Sequence, residues 1–252
     1  PSSAASDVYK RQMLEDGIGS VACASGMAAL TNAFLKILQA GDEIVAACGL
    51  YGGTVELFDD LKPFGISVKY VSENKPEAFE AEITEKTRLV FAETIGNPKL
   101  DVTDIQAVAE VAHKHDVPLI VDNTFATPIN CRPFEWGADI VVHSTTKYMD
   151  GHAGAIGGAI VDSGSFDWTK HPDKYPGLCT PDESYHGVTY TERFGLAGAY
   201  ITKATVQLMR DFGSMQSPQS AFYLNLGLES LHVRMPRHCE NAQAAVSYKH
   251  LT

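Results

Sequence analysis

From Gly41 onward, apolar residues come in short unbroken runs. The segments 43–47 (EIVAA), 67–71 (SVKYV), 88–93 (RLVFAE), 118–122 (PLIVD), 139–144 (DIVVHS) and 157–161 (GGAIV) are predicted strands. A strand that is apolar without alternation is covered on both faces, as in a parallel sheet. Between the runs the period lengthens. Leu30, Phe34, Ile37 and Leu38 make one face of a helix that Ser25 is placed to cap. Thr103 with Gln106 three residues on is a capping-box pattern, and Ile105, Val108, Ala109 and Ala112 form the face behind it. Strands alternating with helices predict an α/β domain, a mostly parallel sheet with helices on both faces. Residues 171–190 (HPDKYPGLCTPDESYHGVTY) are too long for an idle connection and predict a functional or interface loop. Helical pattern resumes near Glu192 and runs to the end.

In such sheets ligands bind beyond the carboxyl ends of the strands. Glu93, Asp122 and the cluster Ser144–Lys147 fall at such ends. An ammonium at the mouth of a buried strand is costly unless paired or neutralised, which singles out Lys147. The hydroxyls of Ser144 and Thr146 flank it, and glycines at 151, 154, 157 and 158 would let backbone pack closely around something. Its plainer reading is a surface lysine. Ser25 and Gly26 in ASGMAAL (24–30) open a helix whose free N–H groups suit an anion, or simply mark a capped helix. Asp122 ends LIVDNT (119–124), where a carboxylate needs a cation or several donors, unless it is an Asx cap. Tyr51 in GLYGGT (49–54) is placed to stack on a planar ligand, or to pack ordinarily. Glu93 and Asn97 share ETIGNP (93–98), where Asn before Pro is also a turn signal. Taken together, these groups ask for one ligand with a phosphate, a flat ring bearing a basic nitrogen, and a carbonyl that condenses with lysine. Pyridoxal 5'-phosphate fits each requirement, since its chemistry needs a Schiff-base lysine and an acid that keeps the ring nitrogen protonated.

Charge and composition remove competitors. With 20 basic and 31 acidic residues among 252, the net charge of −11 disfavours nucleic-acid or anionic-membrane binding. No apolar run approaches a membrane span. The start carries no signal-peptide core, and the five cysteines form no CxxC, so a reducing cytoplasmic setting is expected. Residues 1–12 (PSSAASDVYKRQ) and 247–252 (SYKHLT) do not merge with their neighbours and are expected to be non-native tails around one domain, 13–246, of an internal fragment. STTK (144–147) matches the S-x-x-K of penicillin-binding proteins with Ser144 as nucleophile, but the S-D-N and K-T-G partners are missing. His113 and His115, two apart on a helix, point to different sides, so no metal site is expected. A non-enzymatic assembly fragment is the remaining alternative.

ASGMAAL, YGGT, ETIGNP, VDNTFATP and HSTTKYMDGHAGAIGG closely resemble the pyridoxal-phosphate-dependent enzymes of Cys/Met metabolism. That family includes cystathionine synthases and lyases, methionine γ-lyase and O-acetylhomoserine sulfhydrylase. The resemblance runs from Met13 to about Val246 and implies the large domain of a fold-type-I, aminotransferase-like transferase. Carried onto this chain, it implies that Lys147 binds the cofactor as an imine. Asp122 would pair with the pyridine nitrogen, and Tyr51 would stack on the ring and help shuttle protons. Gly26 and Met27, next to Ser25, would hold the phosphate with the Ser144 and Thr146 hydroxyls. Asn97 would contact the ring's phenolic oxygen, and Thr124 would lie against the ring. GHAGAIGGAIVDSGSFDW, PDESYHGVTY and MPRHCENA look most like O-acetylhomoserine sulfhydrylases, which implies exchange of an acetoxy group for sulfide to give homocysteine. Methionine γ-lyase and cystathionine γ-synthase or γ-lyase are the alternatives within the family. A homotetramer acting on a small amino acid and a sulfur nucleophile is implied for the full-length protein. Members also carry a Tyr-x-Arg segment and a C-terminal arginine that this stretch does not contain, so the cofactor cradle is expected without the whole site.

Overall fold

Each predicted apolar run forms a strand in the computed structural model, which describes residues 10 and 12–249. The strands are β1 (Gly19–Cys23), β2 (Glu43–Ala46), β3 (Ser67–Tyr70), β4 (Thr87–Glu93), β5 (Leu119–Asp122), β6 (Ile140–Ser144) and β7 (Gly158–Asp162). The main helices are α1 (Gly26–Leu35), α2 (Gly52–Leu61), α3 (Pro76–Glu82), α4 (Ile105–Lys114), α5 (Tyr190–Lys203) and α6 (Pro218–Lys249). One sheet has the order β1-β7-β6-β5-β4-β2-β3. From β3 to β6 neighbours run parallel, while β7 is antiparallel to both β6 and β1.

Leu89, Val90, Phe91 and Ala92 of β4 are all fully buried. Successive side chains point to opposite faces, so this strand is covered on both sides and the sheet is flanked by helices. Phe34 of α1 and Phe58 of α2 meet Phe91 edge-on at centroid distances of 5.3 and 5.8 Å. Ile105, Val108, Ala109 and Ala112 bury the face of α4 as its spacing requires. Among the described residues no helix is long and apolar enough to cross a membrane.

Several expectations are corrected. The strand β1 went unpredicted: its sequence GSVAC has only a short apolar end and finds cover by pairing Cys23 with Gly158 of β7. The cap of α4 is Asp104, whose Oδ1 accepts the Ala107 N–H at 3.1 Å. The Thr103 hydroxyl is committed elsewhere, donating to the Glu93 carbonyl at 2.7 Å. The expected functional or interface role of the 171–190 segment is not contradicted: Tyr175 and Leu178 are buried and Asp182 meets Lys203 at 2.7 Å, while most of its other residues are exposed or half-buried. The helical pattern beyond Glu192 is interrupted by Gly195 and Gly213, with φ of 71° and 67°. Of the expected tails, residues 1–9, 11 and 250–252 lie outside the described residues, whereas 12–15 are helical and Ser247–Lys249 continue α6.

Candidate active site

Parallel pairing of β4, β5 and β6 sets their carboxyl ends in a row, with Glu93 opposite Asp122 and Asp122 opposite Val142. Cys23 of β1 and Ser144 of β6 both pair with Gly158 of β7, so the β1–α1 turn is delivered to the same edge. The approach is close. A Cβ on Gly158 would lie 2.0 Å from the Ser25 carbonyl oxygen, and one on Gly26 would lie 2.7 Å from Ser144 Cβ. The glycines noted in the sequence therefore pack protein against protein, and the cavity is what remains in front of them.

That cavity measures about 320 Å³, within the usual range for small-molecule sites. All ten predicted residues line it: Ser25, Gly26, Met27, Tyr51, Asn97, Asp122, Thr124, Ser144, Thr146 and Lys147. None of the 171–190 segment does. Leu30, Ile95, Phe125 and Ile156 add apolar walls, and Glu93 adds a second carboxyl. Those walls lie inside the quoted motifs ASGMAAL, ETIGNP, VDNTFATP and HSTTKYMDGHAGAIGG, but as apolar positions they carry no chemistry that would single them out from sequence.

One end of the cavity is a cup for an anion. Ser25 Oγ accepts the Ala28 N–H at 3.0 Å, capping α1, and the Ser25 carbonyl accepts the Ala29 N–H at 3.0 Å. The first-turn N–H groups of Gly26 and Met27 have no acceptor among the described residues, as expected where a helix begins. Ser144 Oγ beside them is likewise free. Thr146 is not: its hydroxyl donates to the Gly157 carbonyl at 3.2 Å and accepts the Gly157 N–H at 3.1 Å. It braces the cup more than it fills it.

Another part of the lining is acidic. Asp122 Oδ1 accepts the Thr124 N–H at 2.9 Å and the Thr124 hydroxyl at 2.5 Å. No donor among the described residues meets Oδ2. Burial raises the Asp122 pKa, with the Thr124 bonds opposing it. Glu93 is 7% exposed and accepts the Tyr51 N–H at 2.7 Å. Burial first, then the Asp122 charge, push its pKa up to about 8, against the N–H groups of Tyr51 and Asn97. Glu93 thus ties the loop of Tyr51 to the loop of Asn97. The Tyr51 ring itself lies over Gly53, where a Cβ would come within 2.6 Å of it.

Lys147 sits on a turn after β6, its N–H donating to the Ser144 carbonyl at 3.2 Å. The expectation of a buried lysine is corrected, because the residue is exposed and borders the cavity. His113 and His115 bond different carboxylates, Asp139 and Glu80, each at 2.8 Å. A free anion cup, a free carboxylate oxygen and a lone amine on one cavity fit a phosphate, a protonated ring nitrogen and an aldehyde.

The sequence pattern of the Cys/Met metabolism PLP-dependent enzymes matches residues 8–250. The chain belongs to that family. Among its relatives, Sulfhydrylase FUB7 of Gibberella moniliformis is 45% identical over 96% of this chain and 57% of its own length. The O-acetyl-L-homoserine sulfhydrylase of Leptospira meyeri is 46% identical over 94% of this chain and 55% of its own. The chain therefore spans little more than half of these family members. A Campylobacter jejuni chain solved with N'-pyridoxyl-lysine-5'-monophosphate superposes with a TM-score of 0.91 at 33% identity, covering 96% of this chain and 60% of its own. The seven-stranded sheet and its helices are thus the family's α/β fold.

Proposed function

We propose that the whole protein carrying this cradle replaces the γ-acetoxy group of O-acetylhomoserine with sulfide, giving homocysteine and acetate in methionine biosynthesis. The observation that carries the reading is the free Asp122 Oδ2 facing one cavity with Lys147 and the anion cup. The name of the Leptospira relative supports the choice of substrate.

Pyridoxal phosphate bound here supplies an electron sink for negative charge at the substrate's Cα. The Gly26 and Met27 N–H groups and Ser144 Oγ would hold its phosphate, with Thr146 bracing the cup from Gly157. Asp122 Oδ2 keeps the ring nitrogen protonated while Thr124 fixes Oδ1. Tyr51 would cover the ring face and relay protons, and Asn97 would meet the phenolic oxygen. Lys147 Nζ would be the group that takes the proton from Cα. Leu30, Ile95, Phe125 and Ile156 give the cavity an apolar lining.

The reading extends to residues 13–246 as the family's large domain, and to a cytoplasmic homotetramer without nucleic-acid or membrane partners. Five cysteines outside any disulfide and the exposed Phe222, Tyr223, Leu226 and Val233 of α6 are consistent with it. The test is to incubate the full-length protein with O-acetylhomoserine, with and without sulfide, and to quantify homocysteine against 2-oxobutanoate. Homocysteine in the presence of sulfide is expected. Mainly 2-oxobutanoate would make it a γ-lyase instead.

A further inference from the structure

Lys147 stands near the start of a helix-like turn. The Asp150 N–H donates to the Thr145 carbonyl at 3.0 Å and the Gly151 N–H to the Lys147 carbonyl at 2.9 Å. Gly151 then leaves with a φ of 72°. Such a turn ends with open carbonyls that need donors. Those of Tyr148 and Met149 are met by one side chain from far along the chain. Arg234 of α6 donates through Nη1 to the Tyr148 carbonyl at 2.8 Å and through Nη2 to the Met149 carbonyl at 3.4 Å. The guanidinium is fixed from its own helix as well, with Nη2 on the Gly227 carbonyl at 2.8 Å and Nε on Ser230 Oγ at 2.9 Å. A planar fork with several donors makes this set of bonds, and an ammonium does not.

Two glycines confirm that the fit is tight. A Cβ on Gly227 would lie 2.2 Å from the Asp150 carbonyl oxygen and 2.5 Å from that of Met149. A Cβ on Gly151 would lie 2.5 Å from Arg234 Nη1. The helix α6 therefore meets the lysine turn backbone to backbone, with Arg234 as the bolt.

We propose that Arg234 is a positioning residue for Lys147: by capping the carbonyls of Tyr148 and Met149 it fixes the turn from which the Lys147 amine reaches the cavity. The part of this that concerns the cofactor rests on the function proposed above. The consequence for that function is specific. Loss of Arg234 leaves the anion cup and Asp122 untouched but frees the backbone that aims Nζ.

The experiment uses the full-length protein and its Arg234→Ala, Arg234→Lys and Gly227→Ala variants, first without cofactor. Amide hydrogen exchange is expected to rise at least tenfold across residues 147–151 in all three, with Asp122–Thr124 and Gly26–Ala29 unchanged. With pyridoxal phosphate added, each variant retains cofactor through gel filtration, yet a short borohydride pulse traps at Lys147 at least tenfold less than in the wild type. Millimolar guanidinium is expected to restore trapping in Arg234→Ala alone. Wild-type exchange across 147–151 in Arg234→Lys, or equal acceleration throughout the chain, would overturn the assignment. If Arg234→Ala does not fold, Arg234→Lys and Gly227→Ala decide the matter by the same readouts. Trapping of the wild type at another lysine would sink the proposed function, and the exchange measurement would still decide the role of Arg234.

Discussion

The hydroxyl of Thr124 donates a 2.5 Å hydrogen bond to Asp122 Oδ1. Thr124 Oγ1 itself accepts the Ser144 N–H at 2.8 Å, so the Thr124 side chain joins the Asp122 carboxylate to the strand end that carries the cup. Thr124→Val keeps the shape and removes both bonds. It leaves a buried N–H unpaired and takes a donor from a desolvated carboxylate, together about 2 kcal/mol. Titration of the cofactor-free protein with pyridoxal phosphate should show affinity lowered by about tenfold or more, with Thr124→Ser close to wild type. Unchanged binding by the valine variant would mean the bridge is idle.

Asp122→Asn removes the charge at Oδ2 while keeping the size of the side chain. An amide does not hold a ring nitrogen in its protonated form. In the full-length protein, turnover should drop by orders of magnitude while circular dichroism and the melting temperature stay near wild type. Near-normal turnover would reduce Asp122 to an Asx cap.

Gly53 gives the Tyr51 ring its place, since a Cβ there comes within 2.6 Å of the ring. Gly53→Ala should therefore lower cofactor affinity about as much as Tyr51→Ala does, although residue 53 itself does not border the cavity. Tyr51→Phe keeps the ring and should bind the cofactor well but turn over slowly. If Gly53→Ala binds normally, the ring has room to move aside and its stacking role is weak.

Glu93 makes stability depend on pH. Its pKa is about 8 in the folded chain against an ordinary 4.5. Between those values the folded chain holds a proton that the unfolded chain has released, so stability falls as pH rises through that window. Asp162, pushed up to about 7 by burial, acts in the same direction. Chemical denaturation of the cofactor-free protein at pH 6 and pH 9 should show a large loss for wild type. In Glu93→Gln the loss should be smaller by at least about 1 kcal/mol. Equal losses would show that Glu93 is ionised at both values.

The inner strands β4, β5 and β6 could be read from the sequence because burial on both faces leaves few polar positions to blur the pattern, whereas β3, at the sheet edge, exposes Ser67 and Tyr70. The first strand could not be read, because GSVAC is short and finds its partner in β7 and part of its cover in Ile201 of α5, both more than a hundred residues away. The site residues that sequence identified all sit in Gly- or Asx-marked turns at strand ends. Glu93 was noticed there, but its role was not, since nothing local shows that its carboxyl spans two loops. Arg234 was missed for the same reason: on α6 it reads as one polar helix position among many, and its partners lie more than eighty residues earlier. The capping box failed by one residue because Thr103 finds a stronger use at the Glu93 carbonyl.

The pairing of β1 with β7 also sets the order in which a newly made chain can take shape on the ribosome. The segment Gly19–Cys23 emerges well before Gly158–Asp162, its strand partner among the described residues. At about 5–20 residues per second that interval is on the order of ten seconds. During it the β1–α1 turn has neither Ser144 nor Gly158 to rest against. The seat for the phosphate is therefore a late product of synthesis, and a chain stalled before Gly158 would carry most of the sheet but no cup.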